Sequence, residues 1–241
     1  MLQESANTGF RNVNTSPPSR RLSHVQSEKS DVAYRPPLAA YSQWGKRLFD
    51  IVVAVLILPF ALPLMAALLV LIAFDGGKPI FSHPRVGKDG RIFGCLKFRT
   101  MVIDADEHLK KLLSEDPAAA EEWATNFKLR DDPRITRIGR IVRKTSLDEL
   151  PQLWNVLRGD MSLVGPRPVT EAEMPLYGRS AEAYHSVRPG VTGIWQVSGR
   201  NSLSFEERVE LDRRYTTQLS LFEDVRILLM TVPAVLNVTG L

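Results

Sequence analysis

The chain has 241 residues, 44% of them hydrophobic and 24% charged, a globular composition that excludes disorder over the whole length. Lysine and arginine exceed aspartate and glutamate by 31 to 27, which suits an anionic partner such as nucleic acid, phospholipid headgroups or a nucleotide without choosing among them. The single cysteine, Cys95, rules out an intramolecular disulfide and a cysteine-rich zinc site, and His24, His83, His108 and His185 lack metal-ligand spacing.

Residues 1–44 are rich in Ser, Asn, Arg and Pro and show no apolar periodicity, so a disordered tail is expected there, without the apolar core and cleavage site of a secretory signal. The uncharged run from Ile51 to Phe74 follows, within a membrane segment taken as residues 45–76. As one helix it would reach roughly 36 Å, enough for a hydrocarbon core of about 30 Å. Both flanks are basic: Lys46 and Arg47 precede it, and Lys78, Arg85, Lys88 and Arg91 follow, so each flank belongs in the cytoplasm. Pro59 and Pro63 lie near its middle, where a missing N–H and a ring clash kink or break a helix. A re-entrant helix broken at Pro59 is therefore expected, with a kinked spanning helix as the alternative.

Residues 77–241 read as a cytosolic domain. Two short strands flank the Lys88-Asp89-Gly90 turn, where Asp-Gly is a hairpin signal, and Cys95 among alternating apolar residues reads as a buried, inert thiol. Residues 104–126 predict two short surface helices with Pro117 between them. In 131–144, Ile135, Ile138, Ile141 and Val142 fall to one side, and Arg134, Arg137, Arg140 and Arg143 recur at every third position as a basic face. Near the C-terminus, Phe222, Val225, Leu229, Val232 and Leu236 share one helical face that fits either the core or a membrane surface, with a bend at Pro233.

Three stretches carry the chemistry. In KTSLDELP, Ser146 and Glu149 have capping-box spacing, and Pro151 confines Asp148 and Glu149 to the first helical turn, where the helix dipole and upstream arginines favour an ionised carboxylate. An ionised, positioned aspartate is also what a carboxylate nucleophile needs, so cap and catalyst are compatible. In GDMSLVGPRP, Arg167 stands between two prolines on a stiff loop, a geometry able to fork phosphate oxygens. RPGVTGIWQVSGRN supplies Gly190, Gly193 and Gly199 for close backbone approach to a ligand, with Arg188 and Arg200 for anions. No Rossmann-type glycine fingerprint is present.

KRLFD, the apolar run with Pro59, KFRTM, DPRITRIGRIVRKTSLDELPQLWNVLRGDMSLVGPRP and RPGVTGIWQVSGRN, in this order, resemble the bacterial sugar transferase family of polyprenyl-phosphate phosphoglycosyl transferases, in its compact exopolysaccharide-initiating branch. The resemblance covers residues 45 to about 238. It implies a mixed α/β, mostly helical monotopic protein on the cytoplasmic face of the bacterial inner membrane. The implied activity moves a hexose-1-phosphate from a UDP-sugar to undecaprenyl phosphate with Mg²⁺, releasing UMP. This is the first membrane step of exopolysaccharide biosynthesis; galactose is the expected hexose and glucose the alternative.

By motif, Asp148 is the implied nucleophile and Glu149 its acidic partner, the two also holding the metal. Lys97, Arg143, Arg167 and Arg200 are the implied substrate-binding cations, and Asp212 the acid placed near them. His83 departs from the glutamine of many relatives. Phospholipids and downstream glycosyltransferases are the further partners implied; no nucleic acid is expected, because no nucleic-acid module is recognisable. A membrane-tethered nucleic-acid binder and a non-catalytic membrane scaffold, with the acidic pair only capping a helix, are the rival readings.

Overall fold

A computed structural model describes residues 41–126, 129–199 and 202–236, all within one unit that spans Tyr34–Leu241. The tail as far as residue 40, Arg200 and the side chain of Leu236 lie outside the described residues. Nine α-helices and two small two-stranded sheets are described, a mostly helical α/β mixture.

The apolar run builds α1 (Lys46–Phe74), preceded by one π-helical turn, Tyr41–Gly45, so helical structure starts ahead of the boundary expected at residue 44. Contrary to the expected break, α1 is helical straight through Pro59 and Pro63. Each proline removes one N–H and leaves the carbonyl four residues earlier without its bond. Spaced by four, the two losses fall on one side of the helix, and the remaining ladder still holds.

Burial along α1 follows a single stripe, through Lys46, Asp50, Ala54, Ala61, Leu68 and Ile72, while Leu56, Phe60, Leu64, Val70 and Phe74 stand exposed. The buried stripe is tied to the rest of the protein at both ends. At the N-terminal end, Lys46 Nζ lies 3.0 Å from Asp50 and 2.8 Å from Asp224. Asp50 accepts from Ser162 Oγ and the Leu163 N–H, and Arg47 donates to the carbonyls of Val156 and Leu157. Tyr41 and Tyr215 both donate to Asp224. Breaking such a buried charge cluster by removing one partner costs about 3–5 kcal/mol, so this end is firmly seated. At the C-terminal end, Leu68 and Ile72 pack with Phe98 and Val142, and Arg99 donates to the Ile72 carbonyl at 3.0 Å.

Next comes the expected hairpin, β1 (Ile80–Val86) and β2 (Ile92–Phe98), antiparallel with Val86 opposite Ile92. Its turn is possible because Asp89 and Gly90 both take left-handed backbone, φ 57° and 74°. Alternation puts Phe93, Cys95 and Lys97 on one face of β2, and directly opposite residues share a face, so Arg85, across from Phe93, joins them. Cys95 is buried there as expected, and burial pushes its thiol pKa up.

Helices α2 (Ala105–Glu115) and α3 (Pro117–Asn126) are the predicted surface pair; Pro117 opens α3, and Asp116 accepts from the N–H groups of Ala118 and Ala119. The helix α4 (Arg137–Lys144) corrects the expected single basic face. Arg134 lies before it, buried in a bidentate pair with Asp132, Ile141 is 65% exposed, and Val142 is the side chain that enters the core.

After α4 come α5 (Gln152–Arg158) and the parallel pair β3 (Ser162–Val164) and β4 (Gly190–Thr192), with α6 (Ala181–His185) in the connection. Then follow α7 (Ile194–Ser198), α8 (Phe205–Thr217) and α9 (Leu221–Leu236). The main core joins Ala54, Phe93, Val156, Leu163, Ile194, Tyr215 and Ile227, so it draws on α1, the hairpin and every element from α5 to α9 except α6. On α9 the choice between core and surface resolves: Phe222, Val225, Leu229 and Val232 are exposed, and Asp224 and Ile227 face inward.

Candidate active site

Asp148 and Glu149 sit in a 3₁₀ turn, Leu147–Glu149, between α4 and α5. The expected capping box does not form here. Ser146 takes left-handed backbone, φ 57° and ψ 18°, whereas an N-cap needs the extended region, and its side chain makes no cap bond. The acids therefore precede α5 rather than lying in its first turn. A non-glycine residue at positive φ is strained, and the strain sits next to the acidic pair, at the reversal that turns both carboxylates toward the hairpin.

Lys97 meets them there. Its Nζ lies 2.6 Å from Glu149 Oε1 and 3.7 Å from Asp148 Oδ2. Asn155, fully buried on α5, fixes the distance between the two partners: it accepts from the Leu96 N–H and donates to the Gly94 carbonyl, clamping β2 against α5. Arg143 closes the other side. Gly139 brings α4 so close to the Thr100 backbone that any Cβ would collide with it, and Arg143 Nε then donates to Thr100 Oγ1 at 2.7 Å.

Arg167 follows β3, half-buried, with its guanidinium 5.6 Å from the Trp195 ring centre. Its loop is pinned from several directions. The Arg167 N–H donates to Asp212, Arg85 donates to the Pro168 carbonyl, and Gly190 N–H donates to the Pro166 carbonyl. Asp212 is thus buried behind Arg167, where it also accepts from Tyr177 Oη at 2.8 Å, and is closed to a ligand. Gly190 and Gly193, expected to admit a ligand, instead admit the Gly165 backbone, which a Cβ at either position would strike.

Lys97, Arg143, Asp148 and Glu149 are therefore brought together, Arg167 adds its charge on the Glu149 flank, Asp212 supports Arg167, and Arg200 lies outside the described residues. Sequence reading missed Arg85. It is held by Glu173 at 3.3 Å and adds its charge to the field on Glu149. Its signal was an arginine at an inward-facing strand position.

The electrostatics divide the two acids. Burial pushes the Asp148 carboxyl up to about 6, reinforced by the Glu149 charge and only partly opposed by Lys97 and Arg143. This overturns the expected lowering by upstream arginines: desolvation wins. Burial acts on Glu149 too, but Lys97, Arg167 and Arg85 together hold it below the usual carboxylate range. Pairs of acids driven apart in this way are typical of catalytic sites.

A reaction that needs ionised Asp148 will lose rate as the pH falls through about 6. Glu149→Gln removes a like charge and should move that acid limb to lower pH, whereas Lys97→Met removes a cation and should move it higher. A pH–rate profile of donor turnover for the three proteins checks both directions.

Comparison with known proteins converges on one family. The family model described as "Bacterial sugar transferase" matches residues 41–238. A "UDP-galactose-lipid carrier transferase" of Erwinia amylovora is 53% identical over 199 residues, and an "Undecaprenyl-phosphate galactose phosphotransferase" of Salmonella typhimurium is 50% identical over the same length. Each match covers 83% of this chain and 42% of the relative. The "Exopolysaccharide production protein ExoY" of Sinorhizobium fredii is 50% identical over 192 residues, 79% of this chain and 85% of the relative. The chain thus spans about two-fifths of the first two relatives and most of the third. With the family match reaching from the turn before α1 to the end of α9, the chain belongs to the bacterial sugar transferase family.

Proposed function

We propose that this chain transfers a hexose-1-phosphate from a UDP-sugar to undecaprenyl phosphate at the cytoplasmic face of the bacterial inner membrane, opening exopolysaccharide biosynthesis. The observation that carries the reading is the divided acid pair: a desolvated Asp148 beside a Glu149 already satisfied by cations. Two of the relatives are named for galactose, which supports galactose over glucose as the hexose.

In the first step an Asp148 carboxylate oxygen bonds to the β-phosphorus of the donor, the bond from that phosphorus to the bridging oxygen breaks, and UMP departs with the electron pair. In the second, an oxygen of the lipid phosphate bonds to the same phosphorus and Asp148 leaves as carboxylate. Two displacements replace one three-body encounter. Lys97, Arg143 and Arg167 offset charge on the phosphoryl oxygens, and being fixed in advance they do so without reorganising.

Asp148 and Glu149 offer hard carboxylate oxygens, and Mg²⁺ is commonly held by one or two carboxylates completed by phosphate and water, so the donor set fits this ion. Bound there, Mg²⁺ would supply further charge neutralisation to the diphosphate.

We also infer that α1 enters and leaves the bilayer on one side. Its two ends are fastened to the same cytosolic body, and one stripe lies along that body while the remaining surface is apolar and exposed. The exposed apolar face of α9 adds to the lipid-facing surface, and Arg137, Arg140 and Lys144 form a cationic ridge on α4 beside the α1 C-terminus, suited to phospholipid headgroups. Downstream glycosyltransferases are partners this role implies.

Two outcomes are expected. Without lipid acceptor, the protein should release UMP in a burst matched to enzyme, and Asp148→Asn should lose that burst by about a thousandfold or more; persistent release would refute the covalent route. In a Cys95→Ser background, Gln43→Cys and Lys78→Cys should both resist a membrane-impermeant maleimide on spheroplasts and react after permeabilisation. Labelling of only one of them from outside would establish a spanning helix.

A further inference from the structure

The stretch GIWQVSG folds around a tryptophan that the proposed reaction leaves without a task. Trp195 is 5% exposed, and its indole N–H is buried without a hydrogen-bond partner among the described residues. An unpaired buried donor is unfavourable, so what this side chain contributes is its ring. Two guanidiniums use it: Arg167 at 5.6 Å from the ring centre and Arg208, on α8, at 4.9 Å, both within cation–π range. Arg208 is further oriented by donating from Nε to the Leu203 carbonyl at 3.2 Å.

Neither arginine lies within ion-pair distance of a carboxylate among the described residues, whereas the half-buried Arg47, Arg85 and Arg99 each have a carboxylate or carbonyl partner at the guanidinium tip. Two like charges gathered on one ring repel each other, and an anion between or beside them relieves that repulsion. Which anion follows from position. Arg143 stands on α4, which packs through Val142 on the membrane helix, and its charge acts on Asp148. Arg167 acts on Glu149, the other flank, and Arg208 extends that flank along α8. The α4 side is thus adjacent to the lipid, and the α7–α8 side is left for the water-soluble substrate.

We propose that Trp195 is a platform holding Arg167 and Arg208 as a two-guanidinium clamp for the diphosphate of a nucleoside diphosphate, with Arg208 as a substrate-contacting residue. The assignment rests on the proposed donor chemistry but not on the covalent step. Arginine is required at both positions for its planar fork, which engages two phosphate oxygens and stacks on the ring, whereas lysine keeps charge alone.

The test is equilibrium binding of UDP to the full chain in detergent or nanodiscs. Arg208→Gln should weaken UDP binding about tenfold or more, with Arg208→Lys intermediate, and Trp195→Leu should weaken it further than Trp195→Phe, which keeps an aromatic face. Wild-type UDP affinity in Arg208→Gln would overturn the clamp, and because Arg208 is only partly buried this variant keeps the test decisive if Trp195→Leu fails to fold. UDP affinity that depends on Arg208 in a protein that never releases UMP would sustain the clamp and defeat the covalent reading. UMP release with UDP affinity indifferent to Arg208→Gln would do the reverse.

Discussion

Lys97 stands between two neighbouring carboxylates, and the rest of the site is built around that one cation. Two acids adjacent in sequence, both largely removed from water, repel each other and lose hydration together, so they persist in place only if positive charge is delivered to them. The fold delivers it unequally. Glu149 takes the short ion pair and the field of Arg167 and Arg85, while Asp148 is left with a longer contact and with Glu149 as a like-charged neighbour. Glu149 thereby stays an anion, and Asp148 becomes the more basic oxygen at a pH where it still ionises. A carboxylate tied fully into a salt bridge would be a weaker attacking group, so the imbalance suits the role proposed for Asp148.

Holding that imbalance requires four segments to meet. Asn155 fastens β2, and with it Lys97, to the helix that follows the acids. Gly139 and Thr100 seat Arg143. Asp212, Tyr177, Arg85 and the parallel pair β3 and β4 hold the Arg167 loop. The apolar helix α1 belongs to the same construction: Asp50 binds the β3 backbone, and Ile72, near its other end, packs on the strand that carries Lys97. In the proposed function, an apolar helix seated in this way would place the acids at a bilayer surface, where a lipid-borne phosphate and a soluble nucleotide would reach them from different sides.

Features written in short, local sequence were legible. The apolar run, the Asp-Gly turn, the buried Cys95, the acidic pair and the proline-flanked Arg167 all follow from neighbours a few residues apart. Contacts between distant residues were not: Arg85 and Glu173 are 88 positions apart, and Tyr41 and Asp224 are 183 apart. The pattern Ser-x-x-Glu shows the limit most directly. It occurs at Ser146, Ser204 and Ser220: at Ser204 it forms a capping box at the start of a 13-residue helix, at Ser220 the hydroxyl accepts from the Glu223 N–H ahead of α9, and at Ser146 no cap bond forms. At Ser146 the chain must reverse between α4 and α5, and the left-handed backbone that achieves this is incompatible with a cap. Pro59 misled for a related reason, because a proline weakens a helix locally without dictating whether the flanking turns separate. Asp148 misled through burial, which a sequence does not state and which outweighed the arginines upstream of it.

The central claim is that Asp148 carries the sugar phosphate covalently during turnover. The most direct measurement is rapid acid quenching of the protein with UDP-galactose and no lipid acceptor, followed by peptide mass spectrometry. A hexose-phosphate adduct is expected on the peptide containing Asp148, and it should disappear when undecaprenyl phosphate is added. Turnover that proceeds with no such adduct at any quench time would contradict it.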